Sequence, residues 1–424
     1  MKNLKFFVAL CIGVIIVSCS NDDETLTHET INAVKNKTQG KAAKAEVVDG
    51  NIVFPDPNFK KALLEDYVDS DNDNEISVDE AKNVTSLYLD FKNISNLSGV
   101  EYFVNLTDLS CMYNQLTMLD ISKNTKLTSL QCGSNQLTAL HVYYNPALKT
   151  LDCSNNWSMT TLDISKNLAL ETLNCGYNQF TNLDVSKNAK LTKLSCNANQ
   201  LTALDVSKNV MLKDLNCSYN KITSLDINQN TVLTNLFCQN NQITSLDVSE
   251  RTRLRYLNCG RNKITTLNLN RNTSLYYLIC SDNPLKTLDV SKNTALNVLS
   301  CSNNKLTMLD VSKNTALSSF SCDNNQLTTL DVSKNTALYS LNCKYNKITE
   351  LNLVKNNYLH HLTISNNELT ILNLKNGTNN RLIRSELENN PYLYCIEVDD
   401  PTAAYLSKWK KDNKANYSAN CTPF

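Results

Sequence analysis

Oxygen donors crowd one run of the chain: Asp69, Ser70, Asp71, Asn72, Asp73, Asn74, Glu75, Ile76, Ser77, Val78, Asp79 and Glu80. Calcium takes six to eight hard oxygen ligands, and carboxylates on alternate residues can wrap round one point. The alternative is a solvated acidic turn. Cysteine is the second group with chemistry, and there are sixteen of them. Histidine is scarce: His28, His141, His360 and His361 are the whole set. No serine or cysteine nucleophile stands at an elbow beside His360 and His361. The regularly spaced aspartates belong to one face, which leaves no carboxylate pair across a cleft for glycoside hydrolysis. Catalysis is therefore the weakest reading, and a carbohydrate-active enzyme its least poor form.

Most of the cysteines are periodic. Cys111, Cys132 and Cys153 stand 21 residues apart, Cys175 follows after 22, and Cys196, Cys217, Cys238, Cys259, Cys280, Cys301, Cys322 and Cys343 keep to 21. Ile364 takes the next slot, and Val311 fills the equivalent slot of a half-unit. That spacing is unlike the close cysteine pairs of zinc sites. Stacked on parallel strands, their Cβ atoms would lie about 4.8 Å apart, beyond the usual disulfide separation of about 3.5–4.5 Å. They read as buried, unreactive thiols. Cys395 and Cys421 lie outside the array, bracket a tail containing Trp409, and are expected to form a disulfide that staples a C-terminal cap.

The period points to the elements beneath. One unit places Leu296, Leu299, Cys301, Asn304, Leu306, Leu309, Val311 and Asn314 in a pattern whose second half echoes its first. A unit of 21 residues cannot close a core alone, whereas stacked units can. Alternation about Leu299 and Cys301 marks a short strand. About fourteen such strands at roughly 4.8 Å give a body on the order of 65 Å long. Asn304 and its equivalents sit where the chain turns, where an amide can satisfy backbone groups and stack into a ladder. The pattern resembles the leucine-rich-repeat signature over roughly residues 84–375, and the first unit, Leu87, Leu89, Ile94, Leu97, Gly99 and Leu106, resembles the internalin type. The resemblance implies a repeat solenoid with a parallel β-sheet on its concave face. The half-unit echo predicts extended or short 3-10 segments on the convex face.

The acidic run resembles an EF-hand loop, with Asn74 where that family has glycine. The resemblance implies one structural calcium ion held by Asp69, Asp71 and Asp73 carboxylates, the Glu75 carbonyl, Ser77 directly or through water, and Glu80 in bidentate fashion. Asp56 before Pro57 predicts a capped helix carrying Phe59, Ala62, Leu63 and Tyr67, and residues 78–84 a second short helix. Together they form a small α-helical N-terminal cap over the first leucines.

On the concave face most outward positions carry Ser, Asn, Thr or Asp. One stretch differs: Phe237, Tyr256, Tyr277, Ile279 and Val298, with Arg255 and Arg261 alongside. Aromatics beside arginine are the makings of a binding hot spot, the alternative being sequence drift. Tyr113, Tyr177, Tyr219 and Tyr345 stand beside turn asparagines, and Trp157 sits near the 22-residue step. The convex face repeats Asp289/Lys292, Asp310/Lys313 and Asp331/Lys334, a solvated face on which lysines offset stacked aspartates.

The N-terminus carries Lys2, Lys5 and an apolar stretch at 6–17, too short to span a bilayer. Ile16, Val17, Ser18 and Cys19 resemble the lipobox of bacterial lipoproteins, which implies cleavage before Cys19 and acylation of its sulfur. The acidic run at 20–24 resembles a surface-export signal or serves as plain tether. The chain thus divides into a signal peptide (1–18), a tether (19–50), the helical cap (51–84), the solenoid (85–375) and a C-terminal cap (376–424). Lys and Arg total 41 against 41 acidic residues, which argues against nucleic acid as a partner. The expected function is binding or adhesion at a bacterial outer membrane or cell surface. The protein would be a lipid-anchored monomer that recognises a protein or glycan with its concave face. A structural surface scaffold without a discrete ligand is the runner-up.

Overall fold

The computed structural model describes residues 43–66 and 68–421. The signal peptide, Cys19, most of the tether, His28 and Tyr67 lie outside the described residues. A hairpin of Glu46–Val48 and Asn51–Val53 opens the described chain. Helix α1, Pro57–Glu65, and helix α2, Val78–Asn83, follow. Asp56 caps α1, accepting from the Asn58 and Phe59 backbone N–H groups, and Phe59, Ala62 and Leu63 bury the inner face. Ser77 and Glu80 form a reciprocal capping box on α2. No helix among the described residues is long and apolar enough to cross a membrane.

Beyond the cap the chain winds as a stack of repeats around a parallel sheet of fifteen strands. Each strand is three residues long with its centre buried, and in most, as in Val298–Ser300, both flanks are half-exposed. Register is leucine on leucine: Leu257 faces Leu278, which faces Leu299, which faces Phe320. A one-residue slip would turn this whole column outward, so burial holds the register. Leu296, Leu299, Cys301, Leu306, Leu309 and Val311 are all buried. Both halves of a unit therefore feed one core, at roughly 1.5–3 kcal/mol for each large side chain fully buried.

Two asparagine ladders run through the turns. In the first, Asn304 Nδ2 donates to the carbonyls of Cys280, Cys301 and Ser302, and its Oδ1 accepts from the Leu285 N–H. Each rung is thereby tied to the one before. In the second, Asn314 Nδ2 donates to the Val290 and Asn293 carbonyls, but its buried Oδ1 has no partner. Residues just ahead of the first ladder take left-handed backbone: Tyr113, Tyr177, Tyr219, Arg261 and Tyr345 all have φ of 52–56°.

Arg251 interrupts the second ladder. It replaces asparagine, is buried, and reaches the Ile227 carbonyl through Nη1 while its Nε has no partner. A buried cation is costly where an amide would serve. Arg251→Asn is expected to raise unfolding stability by about 1–3 kcal/mol, read as a higher urea midpoint at constant slope.

The convex face is extended through most of the array, with a second parallel sheet only at the C-terminal end. It is built from Glu350–Asn352, Ile371–Asn373, Cys395–Glu397 and Asn416–Ser418. The main sheet likewise runs past residue 375, since Arg384–Glu386 pairs with His361–Thr363. The C-terminal segment thus carries on the coil rather than folding apart from it. Trp409 is buried there, and Cys395 and Cys421 are bonded with Cα atoms 6.0 Å apart.

Candidate recognition surface and acidic loop

Strand pairing sorts the outward residues into columns. Tyr256, Tyr277 and Val298 share one column. Phe237, Asn258, Ile279 and Ser300 share the next, so Phe237 and Tyr256 are diagonal neighbours. All five apolar members are half-buried. The Tyr256 and Tyr277 rings stand 6.0 Å apart at 38°. Tyr276, one position before its strand, joins them at 6.1 Å from Tyr256 and is exposed. Its signal was present, an aromatic next to Tyr277, but the flank position was not counted as facing the patch. Burial raises the pKa of the Tyr277 hydroxyl. Arg261 lies at the turn beyond the strand, 3.7 Å from Asp282 and largely exposed. Arg255 sits at the strand edge and is exposed.

Other aromatics gather at the turn side of the N-terminal repeats. Phe91 stacks on Tyr113 with ring centroids 4.3 Å apart and planes at 8°. Trp157 meets Tyr177 at 5.7 Å. Phe91 went unnoticed in the sequence because the first unit departs from the 21-residue register.

On the convex face each aspartate holds its own turn. Asp310 Oδ1 accepts from the Ser312 N–H at 2.8 Å, and that bond, ahead of Lys313, keeps its pKa low. Lysine is the lesser partner here. His360 stacks on Tyr339, and His361 meets the same ring edge-on. The twelve repeat cysteines are all unpaired and buried. Desolvation pushes the Cys217 and Cys259 thiols up to about 12, so they stay protonated.

The acidic loop brings three of its expected ligands together. Carboxylate oxygens of Asp69, Asp71 and Asp73 lie within 4.8 Å of one another. Asp69 collects the backbone N–H groups of Asn72, Asp73 and Asn74, and Asn72 and Asn74 adopt φ of 63° and 66°. Asn74 thus takes the left-handed conformation expected of a glycine. Asp71 accepts from the Asp73 N–H, yet desolvation and the charges of Asp73, Glu80 and Asp69 together raise its pKa. Glu80 faces elsewhere: one oxygen accepts from Ser70 N and Oγ, the other from Ser77 N and Oγ. Burial works against its charge, but these four bonds outweigh it and hold the pKa at about 2. The Glu75 side chain pairs with Lys60 at 2.7 Å, which leaves its carbonyl as the available donor. The loop docks through Ile76, whose carbonyl accepts from Ile52 N.

Asp56 is the polar residue that sequence reasoning undervalued. Besides capping α1, its second oxygen accepts from Ser95 N, Ser95 Oγ and Asn96 N at 2.7–3.0 Å. One buried carboxylate therefore joins the cap to the first repeat.

No family model matches the chain. Internalin J of Listeria monocytogenes is 37% identical over 137 residues, a match covering 30% of this chain and 15% of that protein's length. Among solved structures, the functional domain of InlJ from Listeria monocytogenes, described as including a cysteine ladder, superposes with a TM-score of 0.73 at 37% identity. The match covers 82% of this chain and 76% of that one. The Leptospira interrogans leucine-rich-repeat protein LIC12759 shares the fold, with a TM-score of 0.66 at 24% identity over 79% of this chain and 97% of that one. With its stacked cysteines, asparagine ladder and fifteen-stranded sheet, the chain belongs to the internalin-like leucine-rich-repeat proteins.

Proposed function

We propose that this chain is a lipid-anchored bacterial surface protein that recognises a protein or glycan ligand with its concave face, centred on Tyr256 and Tyr277. The supporting observation is the pair of outward, half-buried tyrosines in register, flanked by Phe237, Ile279 and Val298, within a sheet face whose other outward positions are mostly polar. Half-buried aromatics offer contact area at little conformational cost on binding. The lipobox-like Cys19 would supply the anchor and the tether the reach. The test is a combined glycan and peptide array probed with the wild-type chain and a Tyr256→Ala/Tyr277→Ala variant. The double variant is expected to lose at least about tenfold in affinity for whatever binds, as truncated hot spots do. Unchanged binding removes the patch. The absence of any array ligand favours the scaffold reading.

The same proposal gives the acidic loop one structural calcium ion. Three convergent carboxylates, a free Glu75 carbonyl and an all-oxygen donor set suit that ion better than a softer metal. The ion would offset repulsion among Asp69, Asp71 and Asp73 and so stiffen the cap. Calorimetry is expected to show one calcium bound at about 0.1–1 mM, the range of extracellular modules, with Asp69→Ala abolishing it. No heat of binding at millimolar calcium would end the assignment.

A further inference from the structure

The chain uses arginine sparingly. Of 41 basic residues seven are arginine, and five of the seven, Arg251, Arg253, Arg255, Arg261 and Arg271, fall within residues 251–271. This is the stretch that carries Tyr256 and leads into Tyr276 and Tyr277. Lysine serves every basic position before it. General basicity therefore does not explain the cluster, whereas planar, bidentate or stacking recognition does, because only guanidinium offers it.

Three of the five are occupied. Arg251 is buried in the convex ladder, Arg261 faces Asp282 at 3.7 Å, and Arg271 pairs with Glu250 at 2.5 Å. Arg253 and Arg255 are exposed, and neither side chain has an ion pair among the described residues. Arg255 stands against the patch. Its carbonyl accepts from the Tyr276 and Tyr277 N–H groups at 2.9 and 3.0 Å, which puts both rings on the next rung beside it. Two rungs back, Thr234 N bonds to Lys213 O, so Lys213 adds charge to the same edge.

The neighbouring surface identifies the kind of ligand. Phe237, Ile279 and Val298 are aliphatic or aromatic and half-buried. Tyr256 and Tyr277 are inclined at 38°, not coplanar, so they make no single flat platform for a sugar ring. A half-buried apolar surface beside unpaired guanidinium groups complements apolar side chains interspersed with carboxylates.

We propose that the ligand is an acidic polypeptide segment whose apolar side chains lie on the tyrosine patch while a carboxylate pairs with Arg255, with the exposed Arg253 two residues earlier adding positive charge. This deepens the concave-face reading and rests on it.

The test uses the full chain and four short fluorescent peptides: alternating Glu and Phe/Leu, the same peptide with Gln for Glu, the same with Lys for Glu, and poly-glutamate. Fluorescence anisotropy is read at low and high salt. The Glu–apolar peptide is expected to bind best, to weaken as salt rises, and to lose at least about tenfold with Arg253→Gln/Arg255→Gln. Arg255→Lys should restore only part of the loss, since lysine cannot make the bidentate contact. Equal binding of the Gln peptide, indifference to the arginine variants, or no binding of the Glu–apolar peptide overturns the proposal. Binding that needs the arginines but survives Tyr256→Ala/Tyr277→Ala upholds the carboxylate contact and removes the tyrosines from the proposed function. Binding that needs the tyrosines but not the arginines does the reverse.

Discussion

Asn304→Ala lowers the stability of the solenoid by about 3–5 kcal/mol, whereas Asn314→Ala, ten residues away and even more deeply buried, costs about 1–2 kcal/mol. The two residues look alike in the sequence, and hydrogen-bond accounting separates them. Removing the Asn304 amide leaves the buried Leu285 N–H without an acceptor and deletes the two Nδ2 hydrogens that are shared among three carbonyls. An orphaned donor costs about 1–3 kcal/mol, and each lost bond adds about 0.5–1.5 kcal/mol. Removing the Asn314 amide deletes two donations. The carbonyls of both ladders keep another donor: Val290 O accepts from Asn293 N and Asn293 O from Leu296 N, just as Cys280 O accepts from Asn283 Nδ2, Cys301 O from Asn325 Nδ2 and Ser302 O from Asp282 N. The stranded Leu285 N–H is therefore what separates the two substitutions. The Asn314 Oδ1 is already without a partner, so its loss relieves a buried polar atom. Urea unfolding followed by far-UV circular dichroism checks the difference. Equal losses from the two substitutions would show that the ladders are interchangeable.

Asp56→Ala releases the cap from the array and costs about 3–4 kcal/mol. The substitution strands the Ser95, Asn96 and Phe59 N–H groups that its carboxylate now accepts. The effect has a pH signature. Burial works to raise the Asp56 pKa, but bonds from Ser95, Asn96 and Asn58 outweigh it and the folded value lies below normal. A lowered folded pKa means that stabilisation is complete above the unfolded value near 3.9 and is lost as pH falls through the folded one. The wild-type chain should therefore destabilise more steeply below about pH 4 than Asp56→Asn does. Hydrogen exchange across residues 51–84 would locate the loss. Protection unchanged in Asp56→Ala would mean that α1 docks by its apolar face alone.

The solenoid was legible because each residue's main contact is its own equivalent one turn later. Leu257, Leu278 and Leu299 recur in the sequence at the interval at which they meet in space, and the same holds for Cys280 and Cys301. Features that break translation were harder to read. Arg251 departs from the asparagine column, but the departure matters only once the column is known to be buried. The second sheet at the C-terminal end needs partners on successive turns, as when Leu353 N meets Asn373 O and Leu374 N meets Glu397 O. Leu267 and Leu269 carry the same local pattern without forming a strand, so local sequence does not distinguish the two cases. In the acidic loop the spacing of Asp69, Asp71 and Asp73 was plain. The Ser77–Glu80 capping box was equally written in the sequence, but its use of both Glu80 oxygens emerges only from the fold.

The patch residues were legible as types and not as neighbours. Sequence alternation placed Tyr256 and Tyr277 outward, and pairing put them in one column while moving Phe237 and Ile279 to the next. Tyr276 and Arg255 became part of the surface only when the strand edge was seen to lie beside both rings.

The most direct test of concave-face recognition is site-specific photo-cross-linking to the ligand that the array returns. A benzophenone side chain is placed either at Tyr277 on the concave sheet or at Met308, an exposed convex position. Adducts from position 277 and none from 308 are the predicted result. Adducts from 308 with none from 277 would place recognition on the opposite face and contradict the account.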